Sequence, residues 1–449
     1  MLMRTNLARW SVIVAPAIAV LTACSDAPPP TSPRVAPKPA ATALVATDGS
    51  IPGNYIVEAD WNADVPAITA QYGIKPKYVY EELINGFAAA FPTEVADALA
   101  ADPRVLKITV QRQFSKVATV TQSHATWGID RIDQRALPMD SSYSYEFTGA
   151  GVTAYIIDTG IRYSHSEFEG RAVPGWDAYA ADPTDPLLGY DGSGDCDGHG
   201  THVSGTVGGK TWGVAKKVKL VGVRVLNCAG YGSDADVIAG MDWVAKNATL
   251  PATANMSLGD VVPSKTMGTS GPVDDAVKAL VLSGVTLAVA AGNGWGNGTV
   301  GADACMFPIS NVPEAITVAA STTTDTRTTW TNYGACIDVF APGSSVMSST
   351  FDSDTSFGTK SGTSMSTPHV VGVASLILQQ APGATPQQVR DIIVSQATQN
   401  IIMPTTTNNV HTMNSHLLYS RAVAPASLVG KPPKNSKPCT PKRQRNGEC

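Results

Sequence analysis

The sequence predicts an α/β domain built on a mainly parallel sheet, preceded by a small α+β unit of βαββαβ order. For the larger domain, short and almost wholly apolar runs rich in Val and Ile recur at 152–157, 218–225, 285–290 and 316–319. Runs of this kind, bounded by Gly, read as strands buried on both faces. Amphipathic helix patterns alternate with them, as at 234–246 and 273–283, which is the mark of βα units. For the smaller unit, the order is a strand at 55–57, a helix at 65–71 and two strand pieces within 78–91 around the turn signal Asn85-Gly86. A helix with an N-cap signal follows at 93–101, and a strand at 105–110 closes the unit. Ordered chain is expected from about Asn54.

Arg4 and Arg9 precede an apolar stretch at 10–23 that is too short for a stable bilayer anchor. Residues 1–24 therefore read as a signal peptide, and the protein as secreted or extracellular. The stretch ends Leu21-Thr22-Ala23-Cys24, which resembles the lipobox of bacterial lipoproteins. A lipid anchor at Cys24 of the precursor is expected, with ordinary signal cleavage nearby as the alternative. Residues 25–51, rich in Pro, Ala, Ser and Thr, read as a disordered linker. The small unit is assigned 52–117, the α/β domain 118–422, and a basic, disordered tail 423–449. In that tail Lys431, Lys434, Lys437, Lys442, Arg443 and Arg445 face only Glu448. The net charge of -5 argues against nucleic acid as a partner. With Cys24 set aside, Cys196, Cys228, Cys305, Cys336, Cys439 and Cys449 form an even set that suits disulfides outside the cytoplasm. A monomer is expected.

In such α/β folds functional groups gather at the C-terminal ends of the strands. Asp158 ends the buried run that begins at Val152, where a carboxylate is costly without a partner. His199 opens a Gly-dense helix in Asp197-Gly-His-Gly-Thr-His-Val-Ser-Gly205, a spacing that demands very close packing. A metal pair at His199 and His202 lacks a third acidic or thiol ligand at the usual zinc spacing. Ser364 lies in Ser361-Gly-Thr-Ser-Met-Ser-Thr-Pro-His369, where Pro368 fits a first helical turn and the helix dipole favours a developing negative charge. Asn293 follows the run at 285–290, so its amide can donate to an oxyanion. Each of these residues alone fits a cap or a turn. Together they supply a weak nucleophile, its base, the group that holds the base, and an oxyanion donor.

The chain order Asp, His, Ser matches the subtilisin arrangement and not the chymotrypsin or α/β-hydrolase orders. Asp158-Thr-Gly, His199-Gly-Thr-His and Gly362-Thr-Ser-Met-Ser-Thr-Pro resemble the three signatures of the subtilase family. Trp127-Gly-Ile-Asp-Arg-Ile-Asp-Gln134, Gly213-Val-Ala-Lys-Lys217 and Asn332-Tyr-Gly334 are similar to its proteinase K-like branch. Asn85-Gly-Phe-Ala-Ala-Ala-Phe91 resembles part of the family's inhibitory propeptide. The resemblance implies a subtilisin-like three-layer domain and catalysis by Asp158, His199 and Ser364, with Asn293 in the oxyanion hole. Protein or peptide substrates would lie as a strand between Gly230-Tyr231-Gly232 and Ser257-Leu258-Gly259. Asp260 departs from the family's Ser-Leu-Gly-Gly at the second edge. The resemblance further implies Cys196 paired with Cys228 and Cys305 with Cys336, and self-cleavage near 115–122. Cys439 and Cys449 are left to each other. The propeptide is the expected partner and intramolecular inhibitor. A subtilase-fold binding protein would lack one of the four residues, and an esterase would need a different nucleophile motif, because Ser366 stands at the second glycine of G-x-S-x-G.

Asp130, Asp133, Gln134 and Asp140 form a set of hard oxygen donors suited to Ca²⁺, or alternatively a solvated acidic loop. Resemblance to calcium sites of the branch favours the first, with Ser142 where an Asn is expected. A second site would use Asp338 with the carbonyls of Pro313 and Ala315, and a third Asp191 with Asp195.

Overall fold

A computed structural model describes residues 50–112, 119–180, 193–259, 271–294, 299–404 and 414–430, with 437, 440, 442, 443 and 446 beyond. The chain divides into two compact units, Met1–Lys116 and Val117–Cys449.

The first unit has the expected order: β1 (Ser50–Ala59), α1 (Val65–Gln71), β2 (Tyr78–Tyr80), β3 (Gly86–Ala90), α2 (Thr93–Ala100) and β4 (Val105–Arg112). Its antiparallel sheet runs β2-β3-β1-β4 over a core that includes Val57, Ile68, Phe87 and Leu99. Three details differ from the sequence reading. β1 includes Ser50, ahead of the expected Asn54, because it pairs with β4 back to Arg112. The β2–β3 turn spans 81–85, since Tyr80 pairs with Gly86. Gly86 is needed inside the strand, where a Cβ would meet Val57 O at 2.1 Å, and Asn85 Nδ2 instead donates to the carbonyls of Asp60 and Ala63. Finally, α2 is preceded by Pro92 and has no side-chain cap.

The second unit opens with β5 (Val120–Ser123), α3 (Trp127–Asp133), β6 (Ser142–Tyr145), β7 (Thr153–Asp158), β8 (Gly160–Arg162), β9 (Ala172–Asp177), β10 (Ser193–Asp195) and α4 (His199–Gly208). It continues with β11 (Lys219–Arg224), α5 (Asp234–Asn247), β12 (Ala252–Met256), α6 (Pro272–Leu282), β13 (Thr286–Ala290), β14 (Ile316–Ser321) and β15 (Val339–Pro342). β16 (Val346–Ser349), β17 (Phe357–Lys360), α7 (Thr363–Gln380) and α8 (Pro386–Gln396) follow. The main sheet is parallel, in the order β15-β14-β13-β12-β7-β11-β9.

Alternation along β7 shows why the apolar runs carry no polar face. Ala154 and Ile156 pack with Val203 and Val207 of α4 and Val370 and Leu376 of α7. Tyr155 and Ile157 pack on the opposite face with Met241 and Val244 of α5 and Val277 and Leu280 of α6. Three layers result. The chain passes from β7 to β9 and β11 on one side and then to β12, β13, β14 and β15 on the other, so the sheet order reverses at β7. A crevice opens at the carboxyl ends of strands at such a switch point.

α7 begins at Thr363, so Pro368 lies inside the helix and not in its first turn. Lacking an N–H, Pro368 cannot bond the carbonyl four residues back, that of Ser364. That carbonyl accepts Ser257 Oγ instead, at 2.8 Å. The tail boundary also moves. Ala424 is buried and donates its N–H to Gln380 Oε1, and Gly430 N–H donates to Gln380 O, so 423–430 belongs to the packed domain. Cys196–Cys228 and Cys305–Cys336 are disulfides with Cα separations of 4.9 and 5.4 Å. Cys24, Cys439 and Cys449 lie outside the described residues. Among those described, no helix is long and apolar enough to cross a membrane.

Candidate active site

Asp158 is fully buried at the end of β7. Its Oδ1 accepts from Thr159 N–H and from His199 Nδ1, each at 2.7 Å. α4 can bring His199 this close because its second residue is Gly200, whose Cβ would stand 2.1 Å from Gly160 O. Thr159 Oγ1 reinforces the contact by accepting Gly200 N–H while donating to Asp195 Oδ1. Asp195 also accepts the N–H groups of Asp197, Gly198 and Thr201 and the Thr201 hydroxyl. Its carboxylate is saturated by the turn before α4, which corrects the reading of Asp195 as a cation ligand. Asp191, its suggested companion, lies outside the described residues.

Burial disfavours a charged His199, but the charge and hydrogen bond of Asp158 outweigh it and raise its pKa above the ordinary 6.5. Asp197 adds to the rise and Lys360 opposes it. With Nδ1 engaged by Asp158, Nε2 is the nitrogen left to accept a proton. His202 has a different fate. Its Nε2 bonds Val346 O and Gly358 O, and burial pushes its pKa down to about 3, so it stays a neutral packing group.

Ser364 is the second residue of α7 and Ser257 follows β12, and the two are tied in both directions. Ser364 Oγ donates to Ser257 O at 3.1 Å while Ser257 Oγ donates to Ser364 O. Ser364 Oγ therefore bonds Ser257 here and not His199. Asn293 Oδ1 accepts both the N–H and the hydroxyl of Thr363, which leaves Nδ2 as the outward donor. A Cβ built on Gly362 would lie 3.6 Å from Asn293 Nδ2 and 3.6 Å from Ser364 N, so two donors flank one small space. Asn332 buttresses this turn, donating to Ala291 O and accepting from Gly294 N–H and Ala302 N–H. The anchoring roles of Thr363, Asn332 and Pro368 were not read from the sequence. Their only signal was membership of the motifs around Asn332 and Ser364.

Gly230, Tyr231 and Gly232 face Ser257, Leu258 and Gly259 across a cleft of about 520 Å³ that His199 also lines. Among the described residues, the main-chain groups of Gly232 and Gly259 make no hydrogen bond, as edges open to an added strand require. Asp260 lies outside the described residues.

The predicted calcium ligands divide into two cases. The pKa of Asp133 is raised to about 6, chiefly by burial, with repulsion from Asp130 and Asp140 contributing and the Ser144 N–H opposing. Asp130 is also raised by burial, while its oxygens accept the N–H groups of Asp140 and Ser141. Asp130, Asp133 and Asp140 lie in one another's field and are hard oxygen donors of the type Ca²⁺ takes, although they are not gathered at ligand spacing here. Gln134 turns its Nε2 toward Ala136 O and Pro138 O. At the second place the donors do not fit. Asp338 is bound by the Arg390 guanidinium through Oδ1 and by Thr317 N–H through Oδ2, so no cation is needed beside Pro313 and Ala315. Among the described residues, no three His, Cys, Asp or Glu side chains converge at metal-ligand spacing.

Residues 149–417 match the Subtilase family, and residues 61–115 match Peptidase inhibitor I9. The chain is similar to an extracellular serine proteinase of Thermus sp. (strain Rt41A), 44% identical over 408 residues that make up 85% of this chain and 93% of that one. It is 46% identical over 345 residues to alkaline serine exoprotease A of Vibrio alginolyticus, covering 76% of this chain and 60% of the relative. The crystal structure of a cold adapted subtilisin-like serine proteinase aligns with a TM-score of 0.58 and 46% identity, over 67% of this chain and 100% of the other. This chain belongs to the subtilase family of serine proteinases, with an I9 inhibitor domain ahead of its peptidase domain. The expected subtilisin-like fold and family are thereby borne out.

A base that must be neutral works only above its own pKa. The acid limb of kcat/KM is therefore expected above pH 6.5. In Asp158→Asn the charge that offsets burial is gone, so the limb should move down as kcat falls by about 10⁴. A pH–rate profile of both proteins checks this, and an unmoved limb would assign it to another group.

Proposed function

We propose that the chain is an exported serine endopeptidase, made as a self-processing precursor, in which Ser364 attacks, His199 transfers the proton and Asp158 holds His199. The observation that carries the reading is the 2.7 Å His199–Asp158 bond, in a unit whose Ser364 stands at a helix start where Asn293 Nδ2 and Ser364 N–H flank one small space. A rotation of the Ser364 hydroxyl from Ser257 O toward His199 Nε2 would prepare the nucleophile. Oγ then bonds the substrate carbonyl carbon as its proton passes to Nε2, and Asp158 stabilises the imidazolium. The oxyanion is held by Asn293 Nδ2 and Ser364 N–H. The imidazolium returns its proton to the leaving amine, and water repeats the sequence on the acyl group. The substrate pairs with the edges at Gly230-Tyr231-Gly232 and Ser257-Leu258-Gly259.

The I9 domain supports intramolecular inhibition before a cut near 115–122. Because β5 pairs with β6, a cut on the N-terminal side of Val120 keeps that ladder in the product. Two disulfides and the extracellular relatives support export. The motif ending at Cys24 supports lipid attachment to the precursor, and the cut would free the peptidase domain from it. Calcium at Asp130, Asp133 and Asp140 would relieve their mutual repulsion and tie α3 to the loop before β6.

Ser364→Ala should neither hydrolyse casein nor process itself. Continued processing, seen as a shortened chain on a gel, would remove Ser364 from the mechanism. EDTA should lower the melting temperature of the mature enzyme and Ca²⁺ restore it. An unchanged melting curve would rule out the structural ion.

A further inference from the structure

The cleft beside His199 holds two carboxylates with oxygens that have no hydrogen-bond partner among the described residues. Asp197 is half-buried. Its Oδ1 accepts His199 N–H at 3.0 Å, while Oδ2 has no partner among the described residues and would lie 3.6 Å from a Cβ on Gly230. Asp234, the exposed first residue of α5, lines the same cleft and is likewise unpaired among the described residues. The other acids nearby are consumed locally. Asp236 closes the capping box with Ser233, and Asp274 accepts Gly271 N–H and Ile309 N–H. Asp197 and Asp234 therefore set the charge of this wall, and no Lys or Arg is among the residues that line it.

A peptide laid between the two edges alternates its side chains, with same-side positions about 7 Å apart. The residue before the scissile bond (P1) presents its carbonyl to Ser364, so the preceding residue (P2) passes the His199–Gly230 wall. The position two residues further on (P4) returns to that wall, toward Asp234. We infer that this cleft selects Lys or Arg at P2, with Asp197 Oδ2 as the recognising group and Asp234 adding a weaker preference at P4. The inference rests on the endopeptidase reading above and names the substrate class that it would take. The selecting charge belongs to the stretch that opens α4, so one loop both positions the base and reads the substrate beside it.

The test uses mature enzyme from the full chain and peptides identical except for Lys, Arg, Ala or Glu at P2. At low ionic strength kcat/KM for Lys and Arg should exceed that for Ala by about fivefold, the scale of one partly exposed ion pair. Glu should be poorest, and high salt should compress the series. Asp197→Asn keeps an oxygen for His199 N–H but removes the charge, so its Lys-to-Ala ratio should fall to near one. Asp234→Asn should leave that ratio in place and reduce only a preference at P4. A wild-type ratio near one, or a ratio that survives Asp197→Asn, overturns the inference while leaving the endopeptidase reading intact. Failure to cleave any of the peptides overturns both.

Discussion

The contact between the first turn of α4 and the end of β7 is the constraint on which the site depends. Gly200 has no Cβ, and that absence lets the helix reach Gly160 O and set His199 against Asp158. An unpaired, fully buried carboxylate at the end of a strand would be expensive. His199, Thr159 N–H and the start of α4 together make it affordable. Asp195 fastens the same turn through five acceptor contacts, so the position of His199 is over-determined by main chain as well as by side chains.

A second fastening sits across the cleft. Proline within α7 withdraws the hydrogen bond that would occupy the Ser364 carbonyl, and Ser257 takes its place. The segment bearing Ser364 is thereby locked to one of the two edges proposed to hold substrate. Asn293 is locked to Thr363 on the other side. A preorganised donor needs this kind of support, because its value lies in not reorganising when charge develops.

Much of this was legible in the sequence, for physical reasons that can be named. Val- and Ile-rich runs could only be strands covered on both faces, and the chemistry-bearing residues fell at their ends. Gly spacing after His199 announced close packing before the partner was known. The amphipathic pattern placed α5 within a residue of its observed range, Asp234–Asn247. Other features were hidden because they depend on pairings distant in the chain. Nothing local to Asp338 reveals Arg390, 52 residues away, which neutralises the carboxylate that was expected to bind a cation. Asn85-Gly86 carried a turn signal, but the packing of Gly86 against Val57 shifted the turn. Pro368 read as a helix start because proline usually stands there, whereas its use is to leave a carbonyl free.

The central claim is that Ser364 is the one activated hydroxyl of the protein. Treating the mature enzyme with an organophosphofluoridate and mapping the adduct by peptide mass spectrometry tests it most directly. The account predicts a single phosphorylated residue, Ser364, with labelling lost in His199→Ala. Label on any other serine, or label on Ser364 that persists without His199, would contradict it.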